Sequence, residues 1–332
     1  MKDFLNMEKV HREGSAFSLS RRSFLGKTIG LSALYLSADF WGWVNTLPFA
    51  YGRTRESFTV ESPQAVAVAP SGTIYATSIT EGGSYRVVGL DLRGKIIHAF
   101  GKAGSAPGDL NFPQGLAIDN NGEIYVVERN NGRISVFDSQ GKFKRFIGAL
   151  GLIYGRTYSP EGICLHDDTI FLADTRNHRI QIFDKHGEVL LVIGEMGDRD
   201  DQFRLPTSLE VTKDGLLYVV DSKHNYIKVI SLEGKFIKKF GGTSTKEKEK
   251  GSFNHPSGIS LDEKRDRVYV SDTMNDRIQV FNLEGKFVEV VDEAKGYSFN
   301  RPKGISLDSE GNLLIADTNN NQIQIIFKDE IS

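Results

Sequence analysis

The 332-residue chain carries 41 basic and 43 acidic side chains, a formal net charge of -2, with 39% of its residues hydrophobic and 25% charged. That balance argues against a nucleic-acid binder, which shows a basic excess or stripe, and against attachment to a membrane surface through a polybasic patch. The single cysteine, Cys164, excludes an internal disulfide and the Cys-x-x-Cys-His attachment site of a c-type haem.

In chain order the first feature is SLSRRSFLGKTIGLSALYL, Ser18 to Leu36. Arg21 and Arg22 are followed by Phe24, Leu25 and Lys27, then by a moderately apolar run to Ala38. This resembles a twin-arginine export signal, a receptor-read address that is no part of the fold. The resemblance implies that the twin-arginine translocase carries the folded chain to the periplasm or another extracytoplasmic space. The lone cysteine suits that route, because a protein folded in a reducing cytoplasm cannot finish folding by oxidation. Leu47-Pro48-Phe49-Ala50 offers cleavage after Ala50, with Pro48 an imperfect fit to the small-x-small pattern. A retained anchor is the alternative: the 22 residues from Ile29 to Ala50 hold one charge, Asp39, and match the ~20 residues a spanning helix needs. Asp39 sits near the middle of that stretch, where a carboxylate is costly, so removal is expected; an uncleaved segment would be the one membrane contact.

From residue 62 the chain repeats itself. The clearest copy is SPEGICLHDDTIFLADTRNHRIQIFDKHGEVLLVIG from Ser159, with near-copies from Phe112, Leu205, His255 and Arg301 and a divergent one from Ser62. The anchoring prolines Pro63, Pro113, Pro160, Pro206, Pro256 and Pro302 are spaced 50, 47, 46, 50 and 46 residues apart. Six units of that period predict propeller blades. Within the third copy, apolar and β-branched runs at Gly162 to His166, Ile170 to Asp174, Arg179 to Asp184 and Glu188 to Gly194 are separated by turn residues, which predicts a four-stranded antiparallel blade. The sixth copy ends after Phe327 with no room for a fourth strand; the alternating stretch Glu56 to Glu61 is expected to supply it and close the ring.

The recurring Pro-x-Gly-Ile, Ile-Tyr-Val-x-Asp-Thr and Asn-x-Arg-Ile-Gln-Val-Phe motifs, with a closing Phe-Gly, resemble the NHL repeat family. The resemblance covers residues 57 to 328 and implies an all-β, six-bladed propeller around a central channel, so that residues 1–50 are signal and 51–332 propeller. The first copy departs most, with a Gly-rich loop from Ser78 to Ser84 in place of the Asp-Thr-x-Asn turn.

The acidic residues closing each second strand, Glu128, Asp174, Asp221, Asp272 and Asp317, read as structural turn formers. Asn131, Asn177, Asn275 and Asn320 suit positions with left-handed backbone. Some propellers of this type are zinc lyases with histidines converging on the channel; here no three histidines occupy equivalent inward positions, which argues against such a site. No Gly-x-Ser-x-Gly marks a nucleophile. The residues after the anchoring prolines, Gln64, Gln114, Glu161, Thr207, Ser257 and Lys303, should ring the channel mouth, either as a binding rim or simply as exposed polar positions. Three residues further on, Ala67, Ala117, Cys164, Ser260 and Ser306 are small, and the fourth copy has Glu210. A carboxylate among small neighbours demands a partner. Between the second and third copies, ALGLIYGRTYS presents Leu150, Leu152, Ile153, Tyr154 and Tyr158 with almost no charge. That loop is a protein-contact candidate, or else it folds back over a blade edge. Two functions are thus open: a non-enzymatic exported scaffold with a protein partner on the channel-mouth face, and a lyase, lactonase or other hydrolase in the channel with a bound divalent metal. No cofactor motif is evident.

Overall fold

Each repeat forms one four-stranded antiparallel sheet, and the innermost strand of each sheet touches that of the next until Pro302–Leu307 meets Pro63–Val68. The computed structural model describes residues 56–80, 82–245, 248–292 and 296–331; Arg21, Arg22, Phe24, Leu25 and Ala50 lie outside them. Among the described residues no helix is long and apolar enough to cross a membrane. In blade 3 the strands run Ile163–His166, Thr169–Asp174, Arg179–Asp184 and Val189–Ile193, each within about one residue of the sequence expectation.

The strands are apolar on both faces because both faces are covered. Ile124 and Val126 of blade 2 pack on Tyr75 and Val87 of blade 1, while the alternate residues Tyr125 and Val127 pack on Ile170 and Leu172 of blade 3. A strand of period two therefore serves two interfaces, and the hydrophobic core lies between blades. In blades 1 to 5 the outer strand shifts register by one residue, as at Ile182/Phe183. Such bulges blunt the open edge that each blade presents to solvent.

The ring closes as expected: Glu56–Thr59 pairs with Gln322–Ile326, placing Phe58 opposite Ile323 in the sixth blade. A second closure acts between neighbours. The turn after each second strand ends in a left-handed residue, His178, Asn225, Asp276 or Asn321 in blades 3 to 6, with φ of 57, 59, 53 and 54°. Its side chain accepts a backbone N–H of the next blade: His178 Nδ1 from Leu205 at 3.1 Å, Asn225 from His255 at 2.7 Å, Asp276 from Arg301 and Asn321 from Ser62 at 2.8 Å each. The left-handed position is one residue later than read from sequence. A single 3₁₀ turn starts directly after the carboxylate, as at Thr175–Asn177, so the asparagine is its third residue and the closing residue its fourth. Asn131, Asn177, Asn275 and Asn320 instead donate to the carboxylate behind them.

Burial and the charge of Arg204 hold the His178 imidazole below its ordinary value, against the opposing pull of Asp221 and Asp174. Only the unprotonated Nδ1 can accept the Leu205 N–H. An unfolded histidine titrates near about 6.5, so this latch contributes fully above that pH and is lost as pH falls through it toward the folded value. Replacing His178 with Asn, the residue blades 4 and 6 use, is expected to flatten this part of the acid loss. Thermal melts of both proteins at about pH 7.5 and 5.5 measure it; equal drops would refute the latch.

Candidate functional site

Two features meet on the face where the inner strands begin: the loops that enter each blade and the channel mouth. The loops are held from below. Glu128, Asp174, Asp221, Asp272 and Asp317 are all fully buried, and each accepts the backbone N–H of an entering loop, from Asn111, Tyr158, Arg204, Asn254 and Asn300 at 2.7 to 2.9 Å. They are structural, as expected, but act as anchors beneath a loop rather than as formers of their own turn. In blade 3, Asp174 also accepts from Asn177, Arg179 and Gln181 at 2.8 Å each. Those donors pass the grip onward: Asn177 to Gly151 O, Arg179 to Ile153 O and Arg156 O, and Gln181 to Arg156 O, at 2.7 to 3.0 Å. The buried charge is compensated by the guanidinium and three further donors, which is the condition for leaving it there.

With its backbone strapped down, the Ala149 to Ser159 loop turns its apolar side chains outward. Leu152, Ile153 and Tyr154 are 69, 67 and 72% exposed, Leu150 51% and Tyr158 41%. The fold-back alternative is therefore excluded. Arg179 lies 5.6 Å from the Tyr154 ring and Arg176 5.9 Å from that of Tyr158, so cation–π contact steadies both aromatics. Sequence reasoning missed a second exposed apolar pair on this blade: Leu190 and Leu191, on its outer strand, are 57 and 37% exposed. The signal was legible, since VLLVI lacks the charge of FKRFI, FIKKF and FVEVV at the same place.

Gln64, Gln114, Glu161, Thr207, Ser257, Lys303 and Glu210 all line one cavity of about 370 Å³, the channel. The mouth residues are not simply exposed. Gln64 and Gln114 are buried, Lys303 Nζ donates to Gln64 Oε1 at 2.6 Å and Gln114 to the same oxygen at 3.4 Å. Thr207 donates to Pro256 O of the next blade at 3.4 Å, and Ser257 bonds Thr273. Glu161 and Lys303 face each other from blades 3 and 6; burial raises the carboxyl and lowers the amine, while each charge partly offsets the other's shift. Arg129, 3.6 Å from Glu161, was missed. It stands where the other blades have Thr175, Ser222, Thr273 and Thr318, and that substitution was its signal.

Deeper in, pairing register places Ala67, Ala117, Cys164, Glu210, Ser260 and Ser306 at one level, opposite Tyr75, Tyr125, Phe171, Tyr218, Tyr269 and Leu314. Glu210 is partly exposed in the channel, and burial with repulsion from Glu263 pushes its carboxyl up to about 7. Among the described residues no side chain or backbone donor pairs with it. Burial and the Glu210 charge push the Cys164 thiol well up, so it stays protonated.

With this geometry in view, the comparisons with known proteins fall into place. Residues 110–137, 157–183, 253–281 and 299–326 each match the family model for the NHL repeat. The chain carries NHL repeats. It is 28% identical over 188 residues to Protein brain tumor of Drosophila melanogaster, across 56% of this chain and 13% of that protein. It is 35% identical over 85 residues to NHL repeat-containing protein 2 of Homo sapiens, across 24% of this chain and 12% of that one. These matches thus span a small part of each curated relative's length. Among solved structures, virginiamycin B lyase from Staphylococcus aureus superposes with a TM-score of 0.57 at 16% identity, over 84% of this chain and 86% of that one. At that identity the likeness is one of fold.

In both blades outside the matched segments the carboxylate network departs from that of blade 3. Blade 1 has no carboxylate at this position. In blade 4 of this NHL propeller, Asp221 is met by His224 at 2.7 Å and Lys228 at 3.0 Å, in place of the asparagine and glutamine used elsewhere. One further irregularity sits under the apolar loop. Gly151 N donates to Thr157 O as Gly104 N does to Leu110 O and Gly197 N to Phe203 O; where those positions plug the blade seam with Leu or Phe, Thr157 is fully buried with an unpaired hydroxyl. Thr157→Val, which keeps the shape and removes the orphaned group, is expected to stabilise the NHL propeller by about 1 kcal/mol. A denaturant titration that found the variant weaker than wild type would show the hydroxyl has a partner.

Proposed function

We propose that this NHL propeller is an exported, non-enzymatic scaffold that holds a protein partner on its channel-mouth face through Leu150, Leu152, Ile153, Tyr154 and Tyr158. The observation that carries the reading is the division of labour in that loop. Its carbonyls and N–H groups are tied to Asp174, Arg179 and Gln181, so the exposed aliphatic and aromatic side chains are presented on a fixed backbone. Preordered apolar anchors of this kind lose little entropy on binding, and a contiguous exposed apolar patch marks a contact site. The neighbouring loop GEMGDRDDQ is charged, which suits a polar rim beside an apolar centre. The extracytoplasmic location rests on Arg21, Arg22, Phe24 and Leu25 as a signal for the twin-arginine translocase. The reading includes no nucleic acid and no membrane contact beyond an uncleaved N-terminal segment.

The alternative, a lyase or hydrolase built on a channel metal, has the donor set against it. Among the described residues no group of three His, Cys, Asp or Glu side chains is placed to hold a metal ion; in the channel Glu210 stands alone at its level and the Cys164 thiol beside it is held protonated. The scaffold reading therefore makes no use of a channel metal.

Leu152→Ser with Tyr154→Ser changes exposed side chains and leaves the strap intact. In chemical crosslinking within the exported compartment, the pair is expected to remove the partner captured by wild type, by at least about tenfold, with an unchanged melting temperature. The control Met274→Ser, which trims an exposed apolar residue of blade 5, should keep the partner. Unaltered capture by the double variant overturns the loop assignment. In the same fractionation, Arg21→Lys with Arg22→Lys should hold the chain in the cytoplasm, and normal export would overturn the signal.

A further inference from the structure

The channel carries two unmet charges at different depths. At the neck, Lys303 has three donors and one protein acceptor among the described residues, Gln64 Oε1. Arg129 sits beside it, paired to Glu161 only at a long 3.6 Å. These three charges leave the neck net positive. Three residues further along the strands, roughly 10 Å away at the usual rise, the Glu210 carboxylate has no donor among the described residues, and its five counterparts are Ala, Cys or Ser. The small ring leaves open space beside the carboxylate. The inner strands thus leave a half-covered carboxylate in the channel with no protein donor of its own. A ligand group is what makes that arrangement sound.

We propose that the channel binds an elongated small molecule bearing a primary ammonium at one end and a carboxylate at the other, with the ammonium on Glu210 and the carboxylate on Lys303 and Arg129. The ammonium supplies the donors Glu210 lacks, and the carboxylate accepts the two free Lys303 protons. The order of charges fixes the orientation: positive neck, negative interior. A divalent cation does not fit, because one carboxylate stands alone at that level. Small walls at Ala67, Ala117 and Ser306 leave room for a chain of methylenes beside the carboxylate. The site shares no residue with the loop surface, so its failure would leave the scaffold reading untouched.

Isothermal titration of the exported protein with ε-aminocaproate tests this, with hexylamine and hexanoate as half-ligands. The expected result is one site per chain, with ε-aminocaproate at least about tenfold tighter than either half. Glu210→Gln should weaken ε-aminocaproate and hexylamine by about tenfold or more while sparing hexanoate, and Lys303→Met should do the converse. Burial holds part of the Glu210 population protonated near neutral pH, so binding should also release protons, read as a buffer-dependent heat. Ser260→Leu, which fills the space beside Glu210 without changing charge, should block all three probes and decides the matter if either charge variant fails to fold. No heat from any probe at millimolar concentration, or ε-aminocaproate affinity unchanged in Glu210→Gln, would overturn the proposal.

Discussion

A carboxylate with no solvent at all is the pivot of five of the six blades. An ionised group in that position is tolerated only when its acceptor sites are filled, and the donors that fill them come from three directions: the turn that follows it, the strand beyond that turn, and the loop arriving from the previous blade. Satisfying one buried charge thereby fixes the relative position of two blades. Where the donors change, as with His224 and Lys228 in blade 4, the geometry is retained because the requirement is for donors rather than for particular residues; in blade 6 neutral donors alone meet Asp317.

The same requirement explains why one loop can afford an apolar exterior. A loop normally needs polar side chains to satisfy its own backbone or solvent to do so. Between blades 2 and 3 the Asp174, Arg179 and Gln181 cluster does that work from beneath, which frees Leu152, Ile153 and Tyr154 from any structural duty. The seam beneath them also lacks the side-chain latch. Gly132 has no side chain to reach blade 3, whereas His178, Asn225, Asp276 and Asn321 all bridge to their neighbours, and Thr157 fills poorly a position that Phe203 and Phe253 fill well.

The fold was legible because its signals are repeated: six prolines at near-constant spacing, and an incomplete last unit matched by a spare strand at the start. The level of Glu210 was legible for the same reason, since register is inherited from copy to copy. What escaped was whatever depends on the exact phase of a turn or on contacts between copies. The left-handed residue lies one position after the asparagine, because a single 3₁₀ turn intervenes. Arg129 gives no sign of its place until the neck sets it beside Glu161, and the apolar pair Leu190 and Leu191 lies on an outer strand whose exposure only the sheet order shows. The first copy matches its family's pattern least, yet its inner strand still delivers Gln64 to Lys303, since the mouth depends on the start of the strand and not on the distant turn.

The closing strand Glu56–Thr59 is made ahead of every blade, and its partner Gln322–Ile326 only after the first five. Throughout translation, then, the emerging arc carries an unsatisfied edge at each extremity, and no arrangement of its first five blades can seal them. Closure is a contact of very high sequence separation, slow by its nature, and it reports that synthesis has passed the sixth blade. A ring of this kind has its own completeness check: a product cut short anywhere before residue 322 remains an open arc, exposed to proteases and chaperones in a way the finished molecule is not.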